Sequence, residues 1–182
     1  MIPWGVSMKI PQDIRETLEP DESVIWSDKP LRTPFILKGI VFAIIGIPWI
    51  ALPLIIIIKA SPKILLNPEI LLFMIFWYGI SILVFFASPL YSLLVWKNVY
   101  YVLTNRRLIV RKGLVGIDYD TLNLDLIQQV NLNVGFWDKK YGTGTLIVQA
   151  TGVRPISLYA VREPRKVYEV INRAVREIKE HS

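Results

Sequence analysis

The residue types that most often carry catalysis are nearly absent from this 182-residue chain. It has no cysteine, and its one histidine, His181, is the second-last residue. A side chain next to a chain end is poorly held, so His181 is a weak candidate for a general base. These facts exclude zinc sites built from cysteine and histidine, thiol catalysis and a serine–histidine–aspartate triad.

Carboxylates could still supply acid–base chemistry, and Asp118, Asp120 and Asp125 form a local cluster. Alternation along the surrounding segment places the first two on the wet face of a strand. The run GTGT at residues 142–145 has the glycines of a phosphate-binding loop, but no lysine follows it and the next residues favour a strand. We therefore predict a turn and a bulge there, no catalytic residue, no metal and no cofactor, and a protein that is not an enzyme.

Basic residues form the strongest candidate for a binding site. Lys97, Arg106, Arg107, Arg111 and Lys112 come directly after an apolar segment. Each cation near an anionic leaflet contributes about 1 kcal/mol to binding, so this cluster is predicted to bind lipid headgroups. The alternative is that the charges only set membrane orientation and solubility. Nucleic acid is a poor partner, because the net charge of +6 is modest and membrane orientation accounts for much of it.

Two long uncharged segments must position these residues. Gly39 to Ile58 has twenty residues and Ile70 to Trp96 has twenty-seven, and about twenty residues of helix cross a hydrocarbon core of roughly 30 Å. We predict two transmembrane helices, at about residues 39–58 and 70–92. Neither segment contains Asp, Glu, Lys, Arg or His, so the pair is predicted to anchor the protein rather than to transport a solute.

The charges that flank these segments predict their orientation. Lysine and arginine are more frequent on the terminal sides than in the loop between the segments, which contains Lys59 and Lys63. By the positive-inside rule, we predict a multi-pass protein of the plasma membrane with both termini in the cytoplasm. The terminal-side cations are Lys29, Arg32, Lys38, Lys97, Arg106, Arg107, Arg111 and Lys112. The expected organisation is a cytoplasmic lead-in at residues 1–34 that opens on an apolar patch at 1–6, membrane helices within 35–96 and a domain at 97–182.

After Lys97 the chain changes to short segments rich in Val, Ile, Leu, Tyr and Thr, separated by turn signals. Such a pattern is typical of a small antiparallel β-domain. From Pro164 onward, apolar residues recur at helical spacing and predict an amphipathic helix that closes the domain. The predicted strands are residues 98–104, 107–112, 117–123, 130–134, 143–150 and 155–161, with a loop or short helix at 135–141.

Several of these segments together resemble a known family. They are YVLTNRRLIVRKGLVG from residue 101, LNLDLIQQVNL from 122, GTGTLIVQ from 142 and LYAV from 158 before the proline-started helix, with LEPDESVIWSDKP from 18 as a lead-in. The combination resembles the bacterial and archaeal pleckstrin-homology-like (PH-like) domain of small membrane proteins of the YdbS/YdbT type. The resemblance implies an antiparallel PH-like β-barrel capped by a C-terminal helix, and it transfers no catalytic residue.

Two functional hypotheses follow from these features. In the first, a transmembrane hairpin holds a cytoplasmic, non-enzymatic PH-like module at the inner leaflet, where it docks a protein partner or anionic lipid. In the second, the protein is a structural subunit of a larger membrane complex. That complex would assemble through a small-residue face of the first helix, Gly39, Ala43 and Gly46, and through Trp77 and Tyr78 of the second helix.

Overall fold

The computed structural model describes residues 10–45, 47–59 and 67–181. The apolar patch at 1–6, Gly46 and Lys63 lie outside the described residues, as do the surroundings of Gly39 and the side chain of Ala43. The chain divides into two compact units. One contains the described residues up to Phe35 together with those from Leu94 onward, and the other contains residues 36–93.

The helices and strands of the described residues succeed one another along the chain in the following order. The elements are α1 (Gln12–Glu16), β1 (Val24–Asp28), α2 (Arg32–Ile45), α3 (Ile47–Lys59), α4 (Pro68–Asn98), β2 (Tyr100–Thr104), β3 (Arg107–Lys112), β4 (Asp118–Asn123), β5 (Ile127–Asn133), α5 (Phe136–Tyr141), β6 (Thr143–Ala150), β7 (Ile156–Arg162) and α6 (Pro164–His181). A short 3-10 turn, Leu124–Leu126, joins β4 to β5.

The unit of residues 36–93 is built from the apolar helices. Among the described residues, α4 is the one helix that is both long and apolar enough to cross a membrane, with a mean hydropathy of 2.5 in its best window. It contains the second predicted crossing. The first predicted crossing, residues 39–58, is shared between α2 and the shorter apolar helix α3. The predicted pair of spanning helices is therefore matched by one helix of sufficient length.

Contacts between α3 and α4 compensate for a backbone hydrogen bond that a proline cannot form within α3. Pro53 has no N–H to donate to the carbonyl of Trp49, four residues earlier in α3. Trp77 Nε1 donates to that carbonyl at 3.0 Å, and the Tyr78 hydroxyl lies 3.4 Å from the carbonyl of Ile50. The rings of Trp49 and Trp77 stack with their centroids 5.4 Å apart. Two side chains that were candidates for contacts with other membrane helices thus join two helices of this chain.

The other unit contains two antiparallel sheets. Sheet A has the order β1-β2-β3-β4, and sheet B has the order β5-β6-β7. The helix α6 buries its apolar stripe, Val167, Ile171, Ala174 and Val175, in the core that the two sheets share. Antiparallel PH-like sheets followed by a C-terminal helix are confirmed, and α6 begins at Pro164 as predicted.

One buried tyrosine links the two sheets. The hydroxyl of Tyr101, on β2, accepts a hydrogen bond from the backbone N–H of Tyr159 at 2.9 Å and donates one to its carbonyl at 3.2 Å. Burial raises the pKa of Tyr101 well above its usual value, so this hydroxyl stays protonated at any physiological pH. The link fixes the start of β2 against β7.

The first strand of sheet A comes from the lead-in. β1 pairs with β2, and Asp28 lies opposite Tyr101. The sequence assigned this run of residues to a lead-in, 1–34, ahead of a domain at 97–182. In the structure this run is the edge strand of sheet A, and all the apolar helices are inserted between two neighbouring strands. Its partner strand follows about seventy residues later, and local sequence patterns do not reveal such a distant pairing.

Candidate functional site

The lead-in also covers the outer face of sheet A. Ile14, on α1, is fully buried against Val102 and Ile109. Alternation along β3 places Arg107 and Arg111 on the same face as Ile109. The two arginines therefore flank the apolar contact beneath α1, and each has an acidic partner from the lead-in.

Arg107 forms a partly buried bidentate ion pair with Glu22. Its Nε and Nη2 donate to the two carboxylate oxygens of Glu22 at 2.9 and 2.8 Å, and Nη2 also donates to the carbonyl of Thr17. The hydroxyl of Thr104 donates to Glu22 at 2.7 Å. Burial of Glu22, whose side chain is 0% exposed, opposes ionisation, but the hydrogen bonds from Arg107 and Thr104 outweigh it and lower the pKa of Glu22 from 4.5 to about 2. The carboxylate therefore stays charged and paired.

The other predicted headgroup ligands are mostly paired as well. Arg111 donates from Nε to Asp13 of α1 at 2.6 Å and from Nη1 to the carbonyl of Asn98 at 3.0 Å. Arg106 forms an ion pair with Glu19, and Lys112 forms one with Asp120, both with half-exposed side chains. Lys97, the fifth cation of the predicted cluster, is exposed and lies at the end of α4.

The structure brings Lys97 together with a different set of residues. We call residues 28–32 and 96–98, where the chain leaves and rejoins sheet A, the neck. Trp96 Nε1 donates to the carbonyl of Pro30 at 2.7 Å. Lys29 Nζ donates to the carbonyl of Lys97 at 3.0 Å and lies 4.2 Å from the centroid of the Trp96 ring. The guanidinium of Arg32 lies 5.5 Å from the same centroid, within the range of a cation–π contact.

The three cations of the neck differ in their exposure and in their electrostatic environment. Burial and the nearby Arg111 lower the pKa of Lys29, and its ammonium is occupied by a carbonyl and an aromatic face. Arg32 and Lys97 are exposed. The sequence identified Lys29, Arg32 and Lys97 as orientation charges, but their gathering around Trp96 depends on the β1–β2 pairing. A tryptophan at the end of a long apolar segment was the sequence signal that could have indicated this site.

The acidic and glycine-rich candidates do not form a site. Asp118 and Asp125 are exposed and Asp120 pairs with Lys112. In residues 10–45, 47–59 and 67–181, no group of three or more acidic or histidine side chains is arranged to hold a metal ion. Gly142 ends α5 in a left-handed conformation with φ of 65°, and the register shifts between Gly144 and Leu146. The predicted turn and bulge at this run are confirmed.

The profile of the bacterial PH domain matches residues 34–175. The chain belongs to the bacterial PH domain family. Among solved structures, it is similar to a DUF1696-family protein with a pleckstrin-homology domain from Shewanella loihica PV-4. That likeness has 17% sequence identity and a TM-score of 0.36, and covers 42% of this chain and 70% of that chain. No curated protein matches the chain.

PH domains are typically non-catalytic modules. In this bacterial PH domain, β1 and α1 precede the matched residues, so the lead-in that carries Asp13, Glu19 and Glu22 lies outside the match. The arginines that hold it, on β3 and at the preceding turn, lie inside the match. The basic cluster thus connects the matched part of the domain to a preceding segment of this chain.

Proposed function

We propose that this bacterial PH domain is a non-enzymatic module held at the plasma membrane by a hairpin of two crossings, at about residues 39–58 and 70–92. Both termini are cytoplasmic. At the inner leaflet the module docks on anionic lipid through the exposed cations of the neck, Arg32 and Lys97. Docking of a protein partner instead of lipid is an outcome that the experiment below separates.

The observation that carries the proposal is the point of insertion. β1 and β2 are neighbours in one sheet, and Trp96 is hydrogen-bonded to Pro30 across the neck. A bilayer cannot pass through a hydrogen-bonded sheet, so both ends of the insertion lie on one side of any membrane that it crosses. A helix that crosses the membrane must therefore be accompanied by a second helix that crosses back to the side of the PH domain. α4 has the length and hydropathy for one crossing, and the apolar residues 39–58 supply the other.

The surface of α4 supports a lipid environment. It contains thirty-one residues, is apolar over most of its length and has no buried side chain. Soluble proteins rarely expose contiguous apolar surface on this scale, whereas hydrocarbon removes the cost of exposing it. The hydrogen bond from Trp77 to the carbonyl that Pro53 leaves unpaired supports a hairpin that packs on itself. This contact favours an anchor over a subunit that needs other membrane helices for Trp77.

The orientation is supported by the distribution of charge. Lys29, Arg32, Lys38 and Lys97 flank the ends of the insertion that join the PH domain, and Lys59 and Lys63 flank its far end. The side with more Lys and Arg stays in the cytoplasm. Trp96 and the cations stacked on it have the composition of an interfacial belt, because an indole ring and adjacent cations are both favoured at the level of the headgroups.

The headgroup contact is tested by removing two exposed cations. Arg32→Gln together with Lys97→Gln is expected to weaken binding of short-chain phosphatidylglycerol to the full-length protein in neutral detergent by about 30-fold, from about 1 kcal/mol per cation. Equilibrium titration measures the affinity, with phosphatidylcholine as the neutral lipid. Arg106→Gln with Lys112→Gln is the matched control, because it removes the same charge from residues paired with carboxylates.

Two results would contradict this contact. An equal loss of affinity in both double variants would assign binding to the basic cluster on β3 or to net charge alone. Equal affinity of the unmodified protein for the anionic and the neutral lipid would remove lipid recognition. The module would then be a protein-docking domain.

A further inference from the structure

The turn between β3 and β4 has an unusual composition. Residues 113–117 read GLVGI, without a polar side chain, although tight turns usually carry polar residues. Val115 is 97% exposed, Leu114 41% and Ile117 44%. Three apolar side chains within four residues are thus presented to the surroundings at the tip of a hairpin.

The backbone of this turn holds the apolar side chains outward. Gly113 has φ of 142°, and a Cβ added there would lie 2.1 Å from the carbonyl oxygen of Gly116. Only glycine fits such a position. The close approach of Gly113 and Gly116 forms a narrow turn, with Leu114 and Val115 at its tip.

The turn lies at the end of sheet A where the helical insertion joins the sheet. In an antiparallel sheet of order β1-β2-β3-β4, the β1–β2 and β3–β4 connections lie at the same end. The β1–β2 connection here is the helical insertion. A direct link joins the two: Asn98 Nδ2, in the last residue of α4, donates to the carbonyl of Gly113 at 3.1 Å, and Arg111 donates to the carbonyl of Asn98.

We propose that Leu114 and Val115 insert into the interfacial layer of the membrane beside the end of α4, and so fix the orientation of the PH domain on the leaflet. This inference rests on the proposed membrane anchoring. A turn hydrogen-bonded to the last residue of a membrane-crossing helix lies at the headgroup level. There, exposed apolar side chains are buried among the upper acyl chains while the nearby Lys97 meets anionic headgroups. Lipid is therefore favoured as the occupant over a protein surface.

The absence of cysteine from the chain allows a direct test. Val115→Cys in the full-length protein is labelled with a polarity-sensitive fluorophore and reconstituted in phosphatidylcholine–phosphatidylglycerol vesicles. The emission is expected to shift to the blue and to be quenched by lipids with a nitroxide near the headgroup. Val153→Cys is the matched control. It is 51% exposed and lies in the β6–β7 turn, at the opposite end of β7 from Arg162, which lies 3.9 Å from Asp28 of the neck.

A third position separates this inference from the anchoring on which it rests. Leu83→Cys, in the middle of α4, is expected to be quenched by lipids with a nitroxide deep in the acyl chain. If that label is quenched while the label at position 115 matches the solvent-exposed control, the loop does not insert and only this inference is overturned. If neither label is quenched, the anchoring is overturned as well. An equally shifted label at position 153 would overturn the specific role of the β3–β4 turn.

Discussion

Deletion of residues 39–58 is expected to abolish folding of the PH domain. One crossing would remain, so insertion would leave β1 and β2 on opposite sides of the membrane. Sheet A would lose its edge strand and Trp26 would leave the core. Arg107 would also lose Glu22, and the apolar pair Val102 and Ile109 would lose the cover of Ile14.

A replacement of equal length provides the control. Twenty unrelated Leu and Ala residues in place of 39–58 restore the return crossing and are expected to give a domain as resistant to limited proteolysis as the unmodified one. A deleted protein that resists proteolysis as well as the unmodified protein would contradict the hairpin. A replaced protein that folds but fails to localise or assemble would favour the structural-subunit hypothesis, in which the helices carry the function.

Replacement of Arg107 by Met is expected to destabilise the domain by about 3–5 kcal/mol at neutral pH. The variant leaves the carboxylate of Glu22 buried without its cation, and an uncompensated buried charge has a cost of this size. Urea unfolding of the full-length protein in neutral detergent measures the change. Arg106→Met is the matched control, with an expected change below about 1 kcal/mol, because its pair with Glu19 is half exposed.

The pH dependence distinguishes loss of this ion pair from loss of packing. In the unmodified protein, the folded-state pKa of Glu22, about 2, lies below the ordinary value of 4.5. Its contribution to stability is therefore full above pH 4.5 and is lost as the pH falls toward 2. In Arg107→Met, burial without the arginine raises that pKa, so acidification should recover part of the lost stability. A deficit independent of pH would contradict the role of the pair, and the double variant with Glu22→Gln should be milder than Arg107→Met alone.

Local patterns predicted most of the elements of the PH domain. Alternation and turn residues located the six strands after α4, and the stripe from Val167 to Ile178 located α6, because these signals arise within a few neighbouring residues. The glycine run was also assigned correctly to a turn and a bulge. Its second glycine, Gly144, has a further reason to be glycine, since a Cβ there would lie 2.8 Å from Pro164 at the start of α6.

The candidate site required partners that are distant in sequence. Arg107 and Glu22 are eighty-five residues apart, and Arg111 and Asp13 are ninety-eight apart. The sequence shows that the arginines and the carboxylates are present but not that they form ion pairs. From the sequence alone, the basic cluster could therefore not be distinguished from a patch of unpaired cations. The contacts of Lys29 and Arg32 with the ring of Trp96 depend in the same way on the pairing of β1 with β2.

The arginine contacts give the basic cluster a structural role that is independent of lipid. Asp13, Glu19 and Glu22 hold the lead-in against the outer face of sheet A, around the buried side chain of Ile14. The same lead-in provides β1, and β1 leads into the first apolar helix. These arginine ion pairs thereby stabilise the strand pairing on which the proposed hairpin of two crossings depends.

The most direct test of the proposed hairpin is the sidedness of three single cysteines in a chain that otherwise has none. Asp21→Cys lies before the apolar segments, Lys63→Cys between them and Arg154→Cys in the β6–β7 turn. A membrane-impermeant maleimide is applied to intact cells and then to permeabilised cells. Lys63→Cys is expected to be labelled in intact cells, whereas Asp21→Cys and Arg154→Cys are expected to be labelled only after permeabilisation. Labelling of Asp21→Cys and Arg154→Cys from opposite sides, or of all three from the same side, would contradict the hairpin.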